Sequence, residues 1–153
     1  MLEEPIQFIL KNFPGTRYYP KFHLTTWHPT GILNDALAEK IIEFVEWEEY
    51  IQEAPFDRYA DLSGFTEIRT KPNHIFEIAR RRRVVRQPVK SAFFADNPTS
   101  LAIAQVYERL MEGATMITVR AFNNRDFAAE WLEVPVQILH PPGKEHAPLS
   151  SSR

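Results

Sequence analysis

The 153-residue chain has no cysteine. That excludes disulfides, thiolate metal ligands, thiol nucleophiles and any redox switch built on cysteine. With no disulfide framework, a reducing cytoplasm is the expected compartment. An excess of one charge is also missing: 18 lysines and arginines stand against 20 aspartates and glutamates, a formal net charge of −2. Bulk electrostatics will therefore not draw the protein onto nucleic acid or anionic lipid. No run approaches the ~20 apolar residues of a membrane span, so no integral membrane segment is expected. No internal repeat is visible. What is present is an ordinary globular composition, 44% hydrophobic and 25% charged, which excludes collagen-like and largely disordered chains. A chain of this length buries roughly 70% of its unfolded surface, enough for one core.

The N-terminal segment starts acidic and has only a short apolar run, without the basic region and small-residue cleavage site of a secretory leader. Ile6, Phe8, Ile9 and Leu10 are costly to leave in water, and residues 1–19 are read as a docking arm. Residues 140–153, HPPGKEHAPLSSSR, are read as a flexible tail. The folded domain is expected between them, at 20–139.

Within it, strand and helix patterns alternate. Lys21–His28 reads as a strand ending at Pro29-Thr30-Gly31. Asn34 caps a helix to about Gln52, with Leu37, Ile41, Phe44, Val45 and Ile51 as its buried stripe. Pro55 closes that segment. Arg58–Phe65 is the second strand, and Thr70 is the expected cap of a helix to about Arg83, with Pro72 in its first turn. Val89–Ala95 is the third strand. Asn97-Pro98 opens a helix that presents Leu101, Ala104, Tyr107, Leu110 and Met111 and stops at Gly113. Met116–Phe122 is the fourth strand, and Asn123 or Asn124 caps a last helix with Phe127, Ala128, Trp131 and Leu132 on one face. This order predicts a single-domain α/β fold with helices packed on a mixed, mostly parallel sheet of four to five strands. Thr25, Lys90, Thr118 and Arg120 interrupt the apolar strands, so one sheet face is expected to be covered less completely, or by a partner.

The stretch 89–135, VKSAFFADNPTSLAIAQVYERLMEGATMITVRAFNNRDFAAEWLEVP, resembles the C-terminal half of bacterial SpoIIAA-like proteins, of the STAS and SEC14-like fold group. The likeness rests on a strand, a helix ending in Tyr107–Leu110 (YERL), a strand ending in Phe122 and a helix ending in Ala128–Leu132 (AAEWL). Upstream, TTWHPTGILNDALAEKIIEFVEWEE followed by FDRYADLSGFTEI fits the first half, so the resemblance covers about residues 20–135. It implies a small mixed α/β domain, often dimeric and mostly without assigned activity. Relatives include anti-sigma-factor antagonists that switch partners when a serine is phosphorylated, and SEC14-type carriers of hydrophobic ligands. The antagonists carry a DSSG-like turn. Its place here is taken by Arg69-Thr70-Lys71-Pro72, where only Thr70 offers a hydroxyl.

Thr70 and Lys71 are thus the candidate phosphoacceptor or anion-binding turn, beside the plain reading of Thr70 as a helix cap. The run Arg80–Arg83 with Arg86 sits at a helix end, where cations complement the dipole. Glu39, Glu43, Glu46 and Glu53 form an acidic stripe, with Glu48 and Glu49 nearby. The two clusters are read as solvated faces or as partners within the chain or across a dimer, ahead of a binding patch. Trp47 and Tyr50 flank the acidic stripe as a candidate interface. Trp131 is read as packing, whereas Trp27, with Phe93 and Tyr107, is a candidate ligand pocket. Lys90 and Arg120 are candidate anion contacts.

His23 and His28 lie on opposite faces of a strand, and no HExxH or HxxxH pattern occurs, so no metal is expected. There is no GxSxG, P-loop or GxGxxG, and Asp61-x-Ser63 reads as a local hydrogen-bonding turn before a dyad. No catalytic residue or cofactor is assigned. The leading expectation is a non-enzymatic STAS-like regulatory or protein-interaction domain, probable homodimer included. The alternative is a SEC14-like carrier of a hydrophobic or lipid-like small molecule, for which cavity volume is the discriminating property. An enzyme of unrecognised type ranks last.

Overall fold

The computed structural model describes residues 16–51 and 56–141. Most of the N-terminal arm, the sites Gln52, Glu53 and Pro55, and the tail from residue 142 lie outside the described residues. The elements run β1 (Arg17–Tyr19), β2 (Leu24–Trp27), β3 (Gly31–Leu33), α1 (Asp35–Ile51), β4 (Asp57–Asp61), β5 (Phe65–Ile68), α2 (Pro72–Arg82), β6 (Val89–Phe94), α3 (Pro98–Leu110), β7 (Ile117–Phe122) and α4 (Arg125–Leu132). Short 3-10 turns occupy Pro20–Phe22, Leu62–Gly64 and Val136–Leu139.

Asparagine sets three of the helix starts. Its side-chain oxygen accepts an orphan backbone N–H of the first turn: Leu37 from Asn34 at 2.8 Å, Ser100 from Asn97 at 2.9 Å, Phe127 from Asn124 at 3.1 Å. Each such cap is worth about 1 kcal/mol. At α2 the expectation fails. Its N-cap is Lys71, which makes no side-chain cap hydrogen bond, with Pro72 as first helical residue; Thr70 is one position too early. The first strand is also shorter than its composition suggested. Pro20 starts a 3-10 turn that ends with His23 in the left-handed region at φ 53°, so pairing resumes only at Leu24. The segment 58–65 is not one strand either. The Asp61 carboxylate accepts the Ser63 N–H, tightens 62–64 into a turn, and separates β4 from β5.

The main sheet has the order β1-β2-β4-β6-β7, with β1 antiparallel and the other pairs parallel. Tyr18 and its two neighbours thus join the sheet. β3 and β5 form a separate parallel pair beyond the carboxyl ends of β2 and β4. From β2 to β7 each crossover steps to the next strand in one direction. Crossovers of a single hand then place α1, α2 and α3 on the same face of the sheet.

Side-chain alternation follows this division. Trp27, Ala60, Phe93, Val89, Ile117 and Val119 pack toward the three helices. Leu24, Tyr59, Ala92 and Phe94 point the other way, onto Ala128, Ala129 and Leu132 of α4 and onto Leu139. That second face is covered by one eight-residue helix and a turn, and Thr118 and Arg120 remain exposed on it. The polar interruptions of β6 and β7 therefore report the thinner layer. Phe127 does not join the core: at 60% exposure it faces outward. The buried arc of α4 is centred on 128, 129 and 132, and at 100° per residue Phe127 lies roughly 150° away from it.

Candidate functional site

On the three-helix face, four small side chains look into the same space: Ala38 of α1, Ala60 of β4, Ser91 of β6 and Ala104 of α3. Interiors are normally filled to crystal density. Small residues opposed across a helix–sheet interface leave a gap that their larger neighbours cannot reach. The gap is an apolar cavity of about 160 Å³, close to the size of an engineered protein cavity (~150 Å³) that stays dry and takes benzene. Trp27, Phe93 and Tyr107 all line it. Phe93 and Tyr107 meet edge to face at 5.6 Å, and Trp27 leans on Phe44 at 5.6 Å. Pro29, Leu33, Phe65 and Thr70 close the end beyond the strand carboxyl ends, through the β3–β5 pair and the turn before α2.

The opposite end is a buried network of charges. Arg58 is 4% exposed, Arg82 3% and Glu48 1%. Arg82 grips Glu49 with two bonds, Nη1 to Oε1 at 2.8 Å and Nη2 to Oε2 at 2.6 Å. Arg58 Nη2 donates to Glu49 Oε2 at 2.9 Å and to Glu48 Oε1 at 3.5 Å, and the Tyr18 hydroxyl donates to Glu48 Oε2 at 2.7 Å. Burial by itself would raise the Glu49 carboxyl, but the bonds and charges of Arg82 and Arg58 outweigh it and hold Glu49 below the usual carboxylate range. Burial also pushes the Tyr107 phenol upward, against the pull of the Arg82 charge. The network joins α1, α2 and β4 behind the cavity. Removing one partner of such a pair leaves a buried charge alone and costs about 3–5 kcal/mol.

The basic run is thereby used inside the chain. Arg81 bonds Glu39 at 2.9 Å and Glu46 at 3.0 Å, stitching α2 to α1. Arg83 donates to the carbonyls of Leu110 and Glu112 at 2.8 and 2.9 Å, capping the end of α3. Sequence reading missed Arg58, Arg82, Glu48 and Glu49 as a unit. A signal existed: Arg58 is in phase with Ala60 on β4, and Glu48 lies four residues beyond Phe44, so each charge sits at an inward position.

A second polar cluster lies on the other sheet face. Asp61, 1% exposed, accepts from the Ser63 N–H at 3.0 Å and hydroxyl at 2.5 Å, the Tyr59 hydroxyl at 2.7 Å and Arg125 Nε at 2.9 Å. A carboxylate offers about four lone-pair sites, and these donors fill them. Asp61 therefore fastens β4 to the start of α4 and has no lone pair left to act as a base toward Ser63. Burial and the Asp61 charge together push the Tyr59 phenol far up. His28 Nε2 lies 2.9 Å from the Leu139 carbonyl oxygen and 3.8 Å from Asp61. Among the described residues no group of three or more His, Asp and Glu is arranged to hold a metal.

The remaining candidates separate. Thr70 Oγ1 is buried, so the turn does not present its hydroxyl at the surface as a phosphoacceptor must. Lys71 is exposed, and its N–H bonds Asp35 at 3.1 Å. Trp47 and Tyr50 do not form an exposed pair: Trp47 packs on Phe44 at 5.9 Å, whereas Tyr50 is 75% exposed. Trp47 follows the Phe44 side of α1, and the sequence stripe placed it wrongly because two turns of a long helix shift the buried arc. Lys90 and Arg120 do come together, but over the Trp131 ring, at 5.3 and 5.5 Å from its centroid. Lys90 Nζ also donates to the Trp131 carbonyl at 3.1 Å. They frame an indole on the thinner face rather than a cleft. No helix among the described residues is long and apolar enough to cross a membrane.

Among solved structures, the chain is similar to an uncharacterised DUF3478-family protein with a SpoIIAA-like fold from Shewanella loihica PV-4. The two align over 77% of this chain and 90% of that one, with a TM-score of 0.51 at 11% sequence identity. No family model and no curated protein matches the sequence.

Proposed function

On the SpoIIAA-like fold that this chain adopts, we propose a small-molecule binding module, a SEC14-like carrier or sensor that holds a compact hydrophobic ligand between its sheet and its three-helix layer. The observation behind this reading is the apolar cavity of about 160 Å³ with Trp27, Phe93 and Tyr107 in its wall. An apolar pocket already open in the folded chain needs no reorganisation to accept an apolar guest, and burying that guest is favourable for each carbon removed from water. The volume suits a ring or a short chain, not a diacyl lipid. The protein is proposed to act without catalysing a reaction and without a cofactor, since the polar groups of its second cluster are already engaged with one another.

The test uses purified protein and ethylbenzene. Saturable one-to-one binding by titration calorimetry, quenching or shifting the Trp27 emission, is the expected result. The Ala104→Leu variant, which grows a side chain into the cavity, is expected to lose it. Binding of ethylbenzene to that variant as tightly as to the parent would sink the reading. Native mass spectra before and after denaturation add a second measurement, because a stoichiometric adduct lost on denaturation carries the mass of the natural cargo.

Tyr50 supports a second reading, a regulatory or protein-interaction domain that forms a homodimer or docks a protein partner at the outer end of α1. A residue of that size left 75% exposed on a helix is a ready contact. Sedimentation equilibrium of the parent and of Tyr50→Ala tests the homodimer. A monomeric parent, or a dimer as tight in the variant as in the parent, counts against Tyr50 as the contact.

A further inference from the structure

Three residues in the cavity wall each leave a buried polar atom with no hydrogen-bond partner: Trp27 Nε1, Arg58 Nε and Thr70 Oγ1. Native interiors satisfy nearly all such groups, and the exceptions call for an explanation. Here the three approach one space from three elements. Trp27 is on β2 and Arg58 on β4, where Thr25 is the register partner of Arg58, so the two stand on the same face of neighbouring strands. Their Cα atoms are about 8 Å apart, one strand spacing across and two residues along. Thr70 enters from the turn before α2. The Arg58 side chain is only 5% exposed, and its other polar contacts are to Glu48 and Glu49. Two of the three atoms can only donate, and the hydroxyl can also donate. A purely hydrocarbon guest would leave all three as they are.

Charge narrows the class further. The wall and the network behind it hold two cations, Arg58 and Arg82, and two anions, Glu48 and Glu49, paired with one another. An ionised carboxylate or phosphate entering this site would bring a charge with no counterion into a dry surrounding, and that is strongly unfavourable. A carbonyl oxygen adds no charge and offers two lone pairs to the waiting donors.

We propose that the cavity selects a compact, uncharged, largely apolar molecule bearing a carbonyl-type acceptor: a ketone, aldehyde, ester or lactone of about six to ten non-hydrogen atoms. This inference rests on the ligand-binding reading above and adds the chemistry of the head. Trp27, Arg58 and Thr70 supply specificity, and the alanines and aromatics supply the volume.

Three probes of nearly one shape test it at pH 7: ethylbenzene, acetophenone and benzoate, titrated into the full chain. One neutral hydrogen bond is worth about five-fold in affinity. Acetophenone is expected to bind about 5–25-fold tighter than ethylbenzene, for one or two bonds made, and benzoate more weakly than either. Trp27→Phe, Arg58→Lys and Thr70→Val each remove one donor while keeping shape, or keeping the cation that Glu48 and Glu49 require. At least one is expected to bring the acetophenone-to-ethylbenzene ratio down toward one with ethylbenzene binding intact. Three variants keep the test alive if one fails to fold. Equal binding of acetophenone and ethylbenzene by the parent would overturn the acceptor assignment and leave the ligand-binding reading standing. So would an unchanged ratio in every folded variant. Benzoate as the tightest ligand would overturn the uncharged class. No binding of any probe to folded parent would remove both readings together.

Discussion

Replacing Ala104 by leucine places three additional carbons in the cavity wall, and the sign of the resulting stability change depends on whether the space is real. Ala104 is buried at mid-helix in α3 and faces about 160 Å³ of apolar space. Each buried methylene-sized group contributes about 0.8 kcal/mol, so three contribute about 2.4 kcal/mol. Ordering the leucine side chain costs about 0.5–1 kcal/mol, and its helix propensity is close to that of alanine. The net expectation is a gain of about 1.5 kcal/mol, or about 3–6 °C in Tm for a chain of this length. Ala92→Leu is the matched control. Ala92 is fully buried on the other sheet face, between Tyr59, Phe94 and α4, and lines no cavity. Overpacking there is expected to cost about 1–3 kcal/mol. Urea denaturation of both variants beside the parent gives the comparison, provided the m-values agree. If Ala104→Leu is destabilised as much as Ala92→Leu, the cavity is not available to side-chain atoms and the ligand argument falls with it.

Acid stability follows from Glu49. Its carboxyl is held below the ordinary 4.5 in the folded chain and returns to about that value on unfolding, so its contribution is complete above pH 4.5 and is lost as pH falls below it. Glu49→Gln is expected to lower stability at pH 7 by about 3 kcal/mol and to flatten the decline toward pH 3 relative to the parent (~pH 3 to 4.5 window); an unchanged acid limb in urea titrations would refute the assignment. Gly64→Ala brings a Cβ to 2.5 Å from the Pro29 carbonyl oxygen. A loss of about 1–3 kcal/mol is expected, and a thermal melt identical to the parent would contradict it. Asp61→Asn removes a charge and an acceptor from Tyr59, Ser63 and Arg125, with an expected loss of about 2–4 kcal/mol. Retained stability in denaturant would mean that α4 is held to the sheet mainly by Leu132 and its apolar neighbours.

The alternation of strands and helices and the asparagine caps were legible because each is written within a few residues. A cap needs one side chain and the backbone three positions on. The reading faltered where two local rules competed. Around Asp61 the strand pattern and the Asx-turn overlap, and the turn won because the carboxylate also binds Arg125, 64 residues away. At Thr70 a good capping residue lost its role to proline, whose fixed φ placed the helix start one residue later. The aromatics Trp27, Phe93 and Tyr107 were singled out from residue type, and the structure brings them to one wall. Nothing local marked Arg58 as their neighbour, since a lone arginine in a strand reads as solvated unless its phase against Ala60 is given weight.

The sequence by itself determined the α/β class, the order of the elements, the likeness to SpoIIAA-like proteins and the thinner covering of one sheet face, because periodicity and polar interruptions are properties of single segments. Tertiary structure alone decided where the arginines of α2 go, which of Trp47 and Tyr50 is exposed, and that a cavity exists. Those outcomes depend on distances between segments 30 to 60 positions apart, as between Arg82 and Glu49 or Arg125 and Asp61. A void above all has no residue of its own: it is the volume left when small side chains on two layers meet, and only the packed layers contain it.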